Sequence, residues 1–200
     1  GQVGELAASV FQDPRSQFFT VNSNTEVAFG MENHGVPKNV IIQRVDEAFA
    51  RFSLERLKDR NVYEMSSGER QFISILSAWA MDTDILLLDE PTANLDYAAT
   101  MQLQKLLLEL KKQGKTLILS EHRLHYLSGI ADEFWLMADG QLRQRYTAEQ
   151  MMELPVEETA ALSLRTLDLG NITLQTKSLP ETSDSAPFTF GALNLCFDYR

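Results

Sequence analysis

The sequence predicts an α/β fold built around a mostly parallel β-sheet. Short apolar runs that are typical of buried strands alternate with longer segments of helical periodicity, and this alternation favours parallel pairing. Of the 200 residues, 44% are hydrophobic, which is enough to bury one good core with at most a small second unit. We expect strands at residues 5–12, 85–88, 115–120, 133–137 and 141–146.

Charge and cysteine content argue against several classes of function. The net charge of −10 and the pI near 4.8 do not suit a nucleic-acid groove, which needs clustered Lys and Arg. The one cysteine, Cys196, excludes a disulfide framework and a four-cysteine zinc site. From the charge we expect no nucleic-acid partner. No apolar stretch is long enough to cross a bilayer, so we also expect no membrane span.

The first predicted strand, Glu5–Gln12, leads into a turn around Pro14, which ends the extended structure. A helical region then extends from about Asn24 to Arg60. Its apolar residues recur at intervals of three and four positions, which is typical of an amphipathic helix. These residues are Val40, Ile41, Val45, Ala48, Phe49 and Phe52.

Two further helices have clear start signals. Ser66 and Glu69 form a capping box, so the apolar helix over residues 71–81 should begin sharply. Asp96 is placed to cap a helix with leucines at helical spacing, and Gly114 is placed to end it.

Titratable side chains follow two of the predicted strands. Asp89 and Glu90 follow the apolar run at 85–88, and His122 lies just past the strand at 115–120. Open α/β sheets bind ligands at this end of their strands. Adjacent carboxylates repel each other unless a cation or a proton lies between them, so we interpret one acid as a Mg²⁺ ligand and the other as the group that polarises a water. The alternative is a strand followed by a helix-capping acid.

Beyond His122 the pattern predicts a short helix and a hairpin whose turn is Asp139-Gly140. Ser, Thr, Pro and acidic residues then predict a linker over residues 165–187. Residues 188–200 contain one more strand pattern.

These motifs, in this order, resemble the nucleotide-binding domain of ABC transporter ATPases. Gln12 stands at the position of the Q-loop, and Met65–Gln71 stands where the signature Leu-Ser-Gly-Gly-Gln belongs. Ile85–Glu90 resembles Walker B, Ala93–Asp96 the D-loop, and Glu121–Leu124 the switch-histidine loop. Each motif alone is weak, but five in the family's order are highly specific.

A closer resemblance is to the energy-coupling-factor branch, the ATPases of vitamin and metal-ion importers. The segments that carry it lie within residues 8–153 and are Phe11–Pro14, Gln17–Phe19, Thr25–Asn33, Ser66–Glu69 and Glu121–Leu124. Some members of this branch fuse two ATPase domains, which implies that this chain is an internal piece of a tandem protein. Residues 1–164 would then form a first ATPase domain with a helical subdomain at about 20–80, and residues 188–200 the first strand of a second.

The resemblance implies a Walker A loop, Gly-x-x-x-x-Gly-Lys-[Ser/Thr], which these residues do not contain. Gly114-Lys115-Thr116 is not that loop, because Glu109 occupies the first glycine position and the segment runs from a helix into a strand. We therefore expect an incomplete P-loop NTPase-like sheet. The absent strand is expected between the strands at 85–88 and 115–120, which would split the sheet and leave apolar edges. ATP turnover is accordingly expected of the complete parent protein and not of this segment alone.

The resemblance implies a role for each residue of a Mg-ATP site. Asp89 would hold Mg²⁺ through water, Glu90 would orient the attacking water as a base, and His122 would donate to the γ-phosphate. Gln12 would sense the metal and the water and would link the site to the membrane partner. A packed histidine at a strand end is the structural alternative for His122.

The signature segment and the D-loop would contact ATP held by the opposite domain. The signature residues concerned are Ser66, Ser67, Gly68 and Glu69. The helix that begins there directs its free amides and the positive end of its dipole toward the phosphate. Ser67 and Glu69 stand where the family has Gly and Gln. Asp96 would act across the dimer, although helix capping alone can explain it.

The implied function is that of an ATP-binding and ATP-hydrolysing subunit that drives import of a vitamin or a metal ion. Its implied partners are a second ABC ATPase domain, a transmembrane coupling protein and a substrate-binding membrane component, at the cytoplasmic face of the membrane. The helical region near residues 13–60 would receive a coupling helix. Two alternatives remain open, an ABC ATPase that moves no solute and a regulatory domain that has lost turnover.

Overall fold

A three-stranded parallel sheet forms the core of residues 6–155, the part of the chain that the computed structural model describes. The strands, in their hydrogen-bonded order, are β1 (Ala7–Val10), β2 (Ile85–Asp89) and β3 (Thr116–Ser120). Leu88 pairs with Val10 on one side and with Leu119 on the other. Because the strands are parallel, their carboxyl ends meet at one edge. The predicted α/β class with a parallel sheet is confirmed.

Five α-helices accompany the strands in the described residues. They are α1 (Ser23–Asn33), α2 (Lys38–Arg51), α3 (Ser67–Ala80), α4 (Tyr97–Lys112) and α5 (Ala148–Glu153). Short 3₁₀ turns lie at Pro14–Ser16, Glu55–Leu57, Val62–Glu64 and His125–Leu127. Helices α1, α2 and α3 pack against one another, and α3 also contacts β1. The helical segment is thereby attached to the sheet through α3.

The helical region predicted from Asn24 to Arg60 consists of two helices and not one. Gly35 has a φ of 69°, in the left-handed region that glycine enters without a Cβ clash. Pro37 follows at the amino-terminal boundary of α2, where its missing N–H leaves no helical hydrogen bond unmade. These two residues end α1 and redirect the chain.

The buried face of α2 follows the predicted spacing with one exception. The residues that are buried as predicted are Ile41, Val45, Ala48, Phe49 and, just past the helix end, Phe52. Val40 is exposed, so its assignment to the core is wrong. Neighbouring helical residues point about 100° apart, and Ile41 occupies the position that faces the core.

Side chains cap α3 and α4 as the sequence predicts. Ser66 Oγ accepts from Glu69 N–H at 3.2 Å, and the Glu69 carboxylate accepts from Ser66 N–H at 2.9 Å. These reciprocal bonds complete a capping box. Asp96 accepts from Ala99 N–H at 2.8 Å at the start of α4. Both helix starts are therefore fixed by local hydrogen bonds.

The prediction that the sheet is split is wrong. β2 pairs directly with β3, from Ile85 opposite Thr116 to Asp89 opposite Ser120. A continuous ladder between the two strands leaves no place for another strand between them. Among residues 6–155, the unpaired edges of the sheet are the outer sides of β1 and β3.

Burial of the sheet is one-sided, which also differs from the prediction of fully buried strands. Leu86 and Leu88 are buried, whereas their neighbour Leu87 is only half-buried. Ile118 lies opposite Leu87 in β3 and is 55% exposed. Side chains alternate between the two faces of a strand, so one face of β2 and β3 packs on the core, and the other is left open by the described residues.

A β-hairpin follows the sheet, with β4 (Glu133–Ala138) antiparallel to β5 (Gln141–Thr147). The predicted turn at Asp139-Gly140 is confirmed, with φ values of 52° and 71°. Positive φ at both central residues is what the right-handed twist of a two-residue hairpin requires.

The segment Gly114-Lys115-Thr116 connects α4 to β3, as expected for a chance match to the Walker A pattern. Gly114 has a φ of 80° and follows the helix end. Lys115 Nζ lies 3.0 Å from Asp82 Oδ1, so its charge is engaged in an ion pair. This lysine has a structural role in the fold.

The linker predicted at 165–187, the strand predicted at 188–200 and the domain boundary predicted near 164 lie outside the described residues. Within the described part of the chain, none of the helices is long and apolar enough to cross a membrane.

Leu107 provides a test of the packing of α4 on the core. Its side chain is fully buried, so Leu107→Ala removes apolar contacts and leaves a cavity. We expect the free energy of unfolding of the 200-residue chain, measured by urea titration, to fall by about 2–5 kcal/mol. Leu142→Ala, at an exposed position of the hairpin, is the control and should change it by less than about 0.5 kcal/mol. Equal effects of the two variants would contradict this packing.

Candidate functional site

Three of the predicted site residues meet at the carboxyl edge of the sheet. Gln12 Nε2 donates to Glu90 Oε2 at 2.8 Å, and His122 Nδ1 lies 3.9 Å from Glu90 Oε1. Each carboxylate oxygen of Glu90 therefore faces a different neighbour. Gln12 is exposed, and the side chains of Glu90 and His122 are 34% and 45% exposed, so a ligand can reach all three.

The backbone of Glu90 sets this geometry. Its φ is 41°, which is unusual for a residue with a Cβ and carries a strain of about 1–3 kcal/mol. Its N–H donates to Ser120 C=O at 2.9 Å, and its C=O accepts from Ala93 N–H at 3.0 Å. The chain thus leaves the sheet in a tight turn at Glu90. Capping is not the role of either acid at the end of β2, because Asp96 caps the following helix.

Within residues 6–155, no hydrogen bond or ion pair joins the side chain of Asp89 to this cluster. Asp89 ends β2 opposite Ser120, and its side chain is exposed. Within residues 6–155 no group of three or more His, Cys, Asp or Glu forms a metal site by itself. Mg²⁺ on a nucleotide, however, is usually held by one or two protein oxygens together with phosphates and water. The carboxylate of Asp89 and the amide oxygen of Gln12 are ligands of that type, so the residues present fit a phosphate-bound Mg²⁺.

The signature segment forms a second cluster at the start of α3. Ser66, Ser67 and Gly68 lie in the first turn, where backbone amides lack helical acceptors. Ser67 Oγ donates to Asn94 C=O at 3.1 Å. A Cβ on Gly68 would lie 3.2 Å from Leu95 Cδ2, which is tighter than ordinary contact. The segment therefore packs closely on the residues that precede Asp96.

Two arginine side chains bind the carboxylate of Glu69 in the signature segment. Its Oε1 accepts from Arg56 Nη1 at 2.7 Å and from Arg60 Nη1 at 3.1 Å. Burial opposes ionisation, but the bonds to Ser66 and Arg56 and the charge of Arg60 outweigh it and lower the pKa of this carboxyl to about 2. Glu69 is therefore charged at neutral pH, and two guanidinium groups compensate its charge.

The signature residues and the Glu90 cluster are separate within this chain. In the described residues no hydrogen bond or ion pair joins Ser66, Ser67 or Glu69 to Gln12, Glu90 or His122. The predicted site residues thus form two groups and not one. Asp96 belongs to neither, since its carboxylate is used in capping α4.

Sequence reasoning missed two sets of residues around these groups. Arg56 and Arg60 contact Glu69, and no sequence pattern signalled these contacts. Thr92, two residues after Glu90, donates two hydrogen bonds to the carboxylate of Glu121. The only sequence signal for Glu121 was an acidic residue directly before His122 at a strand end.

Comparison with known proteins identifies this arrangement. Residues 2–93 match the family model for the ABC transporter. A solved structure, CbiO1 from Clostridium perfringens, described as part of the ABC transporter complex CbiONQ, superposes with a TM-score of 0.68 at 32% identity, over 74% of this chain and 59% of that chain. In sequence and fold, the chain is thus similar to ABC transporter ATP-binding domains.

Two curated relatives of this chain are informative. A Treponema denticola protein named as an ABC transporter ATP-binding protein is 34% identical over 92% of this chain and 38% of its own length. The energy-coupling factor transporter ATP-binding protein EcfA of Methanocaldococcus jannaschii is 32% identical over 82% of this chain and 58% of its own length. The chain thus spans less than two thirds of these relatives.

The lowered pKa of Glu69 generates a test of the signature segment. Its carboxylate stabilises the fold fully above its ordinary pKa of 4.5, and this contribution is lost as the pH falls toward about 2. Glu69→Gln should lower the free energy of unfolding by about 1.5–3 kcal/mol at pH 7, the size of hydrogen bonds to a charged group. Urea titrations should give a smaller difference at pH 3 than at pH 7.

Glu55→Gln is the matched control, because Glu55 is exposed in the neighbouring 3₁₀ turn. A difference between wild type and Glu69→Gln that grows on acidification would contradict the assigned ion pairs.

Proposed function

We propose that the parent protein of this chain is the ATP-hydrolysing subunit of an energy-coupling-factor importer. The observation that carries the proposal is the position of Glu90 between Gln12 and His122 at the carboxyl edge of a parallel sheet. The similarity of the chain to EcfA of Methanocaldococcus jannaschii and to CbiO1 of Clostridium perfringens also supports the proposal. The cargo would be a vitamin or a metal ion.

Glu90 would act as the base that orients the attacking water. One of its oxygens accepts a hydrogen bond from the amide of Gln12, and the other faces His122 at 3.9 Å. His122 would donate a hydrogen bond to the γ-phosphate, where negative charge must be stabilised. Mg²⁺, held through Asp89 and Gln12, would neutralise charge on the phosphates.

Ser66, Ser67, Gly68 and Glu69 would contact ATP bound by a second ABC domain. The separation of this segment from Glu90 within one chain supports a site shared between two domains. The first turn of α3 offers amides and a positive dipole end to a phosphate. Arg56 and Arg60 offset the negative charge of Glu69, which would otherwise repel that phosphate. Asp96 would lie near the same boundary.

The phosphate-binding loop and the second ATPase domain would come from other parts of the parent protein or from a partner chain. The 200 residues contain no Gly-x-x-x-x-Gly-Lys-[Ser/Thr] sequence. The chain matches only 38% of the length of the Treponema denticola relative. A tandem arrangement, with residues 1–164 in a first domain and 188–200 at the start of a second, is the form that we propose.

An exposed aromatic surface beside Gln12 would receive the transmembrane coupling protein. Phe19 and Phe29 stack with ring centroids 4.7 Å apart, and Phe19 is 71% exposed. Phe11 and Val21 are exposed on the same loop region. Buried Glu26 fixes this loop, because its Oε2 accepts from the backbone of Phe19 at 3.1 Å. Aromatic groups held rigidly in solvent favour a protein interface, which would place the subunit at the cytoplasmic face of the membrane.

The decisive test of the catalytic assignment is Glu90→Gln in the complete parent protein. An amide cannot accept a proton from water, so kcat for ATP should fall by at least about 100-fold while ATP binding is retained. Phosphate release and equilibrium binding of Mg-ATP measure the two properties. Glu149→Gln, an exposed acid of α5, should leave both unchanged.

Turnover near the wild-type rate in Glu90→Gln would exclude Glu90 as the base. A wild-type parent that binds Mg-ATP without releasing phosphate would instead favour the regulatory alternative.

Phe19→Ser tests the membrane-partner surface. Removing the exposed half of the aromatic stack should weaken association with the transmembrane coupling protein by more than about tenfold, as for an interface hot spot. Co-purification from detergent extracts measures this association. Trp135→Ser, at an exposed aromatic of the hairpin, is the control and should not weaken it. The reverse pattern would move the interface to β4 and β5.

A further inference from the structure

Glu121 lies directly before His122, but its carboxylate is directed toward the loop that follows Glu90. Its Oε1 accepts from Thr92 N–H at 3.1 Å and from Thr92 Oγ1 at 2.5 Å. The same oxygen accepts from the Tyr126 hydroxyl at 2.9 Å. One carboxylate oxygen therefore binds two donors of the Glu90 loop and one donor of the following 3₁₀ turn.

The other oxygen of Glu121 organises the switch-histidine loop itself. Oε2 accepts from His122 N–H at 3.1 Å and from Arg123 N–H at 3.2 Å. Both carboxylate oxygens therefore accept from backbone N–H groups, Oε1 from Thr92 and Oε2 from His122 and Arg123. An amide or an alcohol at this position would leave donors facing donors.

The contact between the loop that follows Glu90 and the switch-histidine loop is buried and includes a second hydrogen bond. Thr92 and Tyr126 are fully buried. Without Glu121, their N–H and hydroxyl donors would be shielded from water and would lack this acceptor, which is destabilising. Arg123 Nη1 donates to Thr92 C=O at 3.2 Å, a second bond across the same gap. Burial, then the charge of Glu121 and the bond to it, raise the pKa of Tyr126 well above its ordinary value. The Tyr126 hydroxyl therefore stays protonated and remains a donor.

Among residues 6–155, the side chain of His122 has no comparably close anchor. It is 45% exposed, and its distance of 3.9 Å to Glu90 is longer than a hydrogen bond. Its position beside Glu90 must therefore be set by its backbone. The groups that hold this backbone are the Glu121 carboxylate and, through it, Thr92.

We infer that Glu121 is a positioning residue that holds His122 beside Glu90 by binding the backbone of both loops. The inference rests on the proposed ATPase function and extends it to a side chain with no direct contact to substrate. A local turn would explain only the bonds to His122 and Arg123. The bonds to Thr92, which lies 29 positions away in the sequence, fix one loop relative to the other.

The test is Glu121→Gln in the complete parent protein. The amide of glutamine has nearly the same volume as the carboxylate but carries only one acceptor oxygen. Depending on its orientation, the variant loses either the bonds to Thr92 and Tyr126 or those to His122 and Arg123. We expect kcat for ATP to fall by about 10- to 100-fold, as for misplacement of a catalytic group, while KM changes by less than about twofold. Amide hydrogen exchange of residues 121–123 should become faster at the same time.

Two substitutions of Thr92 provide a matched pair. Thr92→Ser keeps the hydroxyl and should retain kcat and exchange rates close to wild type. Thr92→Val removes the hydroxyl and should shift both in the direction of Glu121→Gln. Because both changes weaken the same link between the two loops, the double variant Glu121→Gln/Thr92→Val should lose less activity than the product of the single effects.

Each outcome decides the inference. A wild-type parent without Mg-ATP turnover overturns the proposed function and this inference together. An active wild type with an unchanged kcat in Glu121→Gln, or with a rise in KM alone, overturns the inference and leaves the proposed function intact. If Glu121→Gln does not fold, the Thr92 pair decides, and equal kcat values for Thr92→Ser and Thr92→Val overturn it.

Discussion

The direct pairing of β2 with β3 is the constraint on which the candidate site depends. The ladder continues past the strand end, because Glu90 N–H donates to Ser120 C=O. This bond fixes Glu90 at the same height as the end of β3, and His122 follows two residues later. With a strand between β2 and β3, the two side chains would be separated by at least one further strand spacing of about 4.8 Å. The pairing that contradicts the predicted split sheet is thus the one that makes the site possible.

The loop between β2 and α4 connects the two groups of site residues. At one end Thr92 is bound by Glu121, which follows β3. At the other end Asn94 C=O accepts from Ser67, and Leu95 packs against Gly68. Residues 92–95 therefore contact both the switch-histidine loop and the signature segment. A displacement of either segment must strain this loop or break a named hydrogen bond, so the two groups are mechanically linked within one chain.

Local signals in the sequence were sufficient for most of the fold. The capping box at Ser66, the cap at Asp96 and the turn at Asp139-Gly140 were predicted because each depends on residues close in the chain. The convergence of Gln12, Glu90 and His122 could also be anticipated, since parallel strands bring their carboxyl ends together. This geometry is now observed, while the catalytic roles of the three residues stay predictions.

Long-range contacts and strand order were not accessible in this way. Apolar periodicity does not specify which strand lies beside β2, and the place that the resemblance implied for the absent strand, between β2 and β3, was wrong. Ile118 has the composition of a buried strand residue and is exposed, because one face of the sheet is open among the described residues. The bonds from Arg56 to Glu69 and from Glu121 to Thr92 join distant parts of the chain and leave no periodic pattern.

The adjacency of Asp89 and Glu90 raised the question of how two carboxylates can coexist. Along a strand, neighbouring side chains point to opposite faces, and Asp89 follows that rule at the end of β2. The positive φ of Glu90 then turns its side chain toward Gln12 and His122, while Asp89 stays exposed to solvent. The two acids therefore occupy different environments, one bound by an amide and one open to water. The strained backbone at Glu90 thus separates the two carboxylates. Glu90 is suited to hold a water that donates a proton, Asp89 is suited to a hydrated cation, and the two acids need not share a proton.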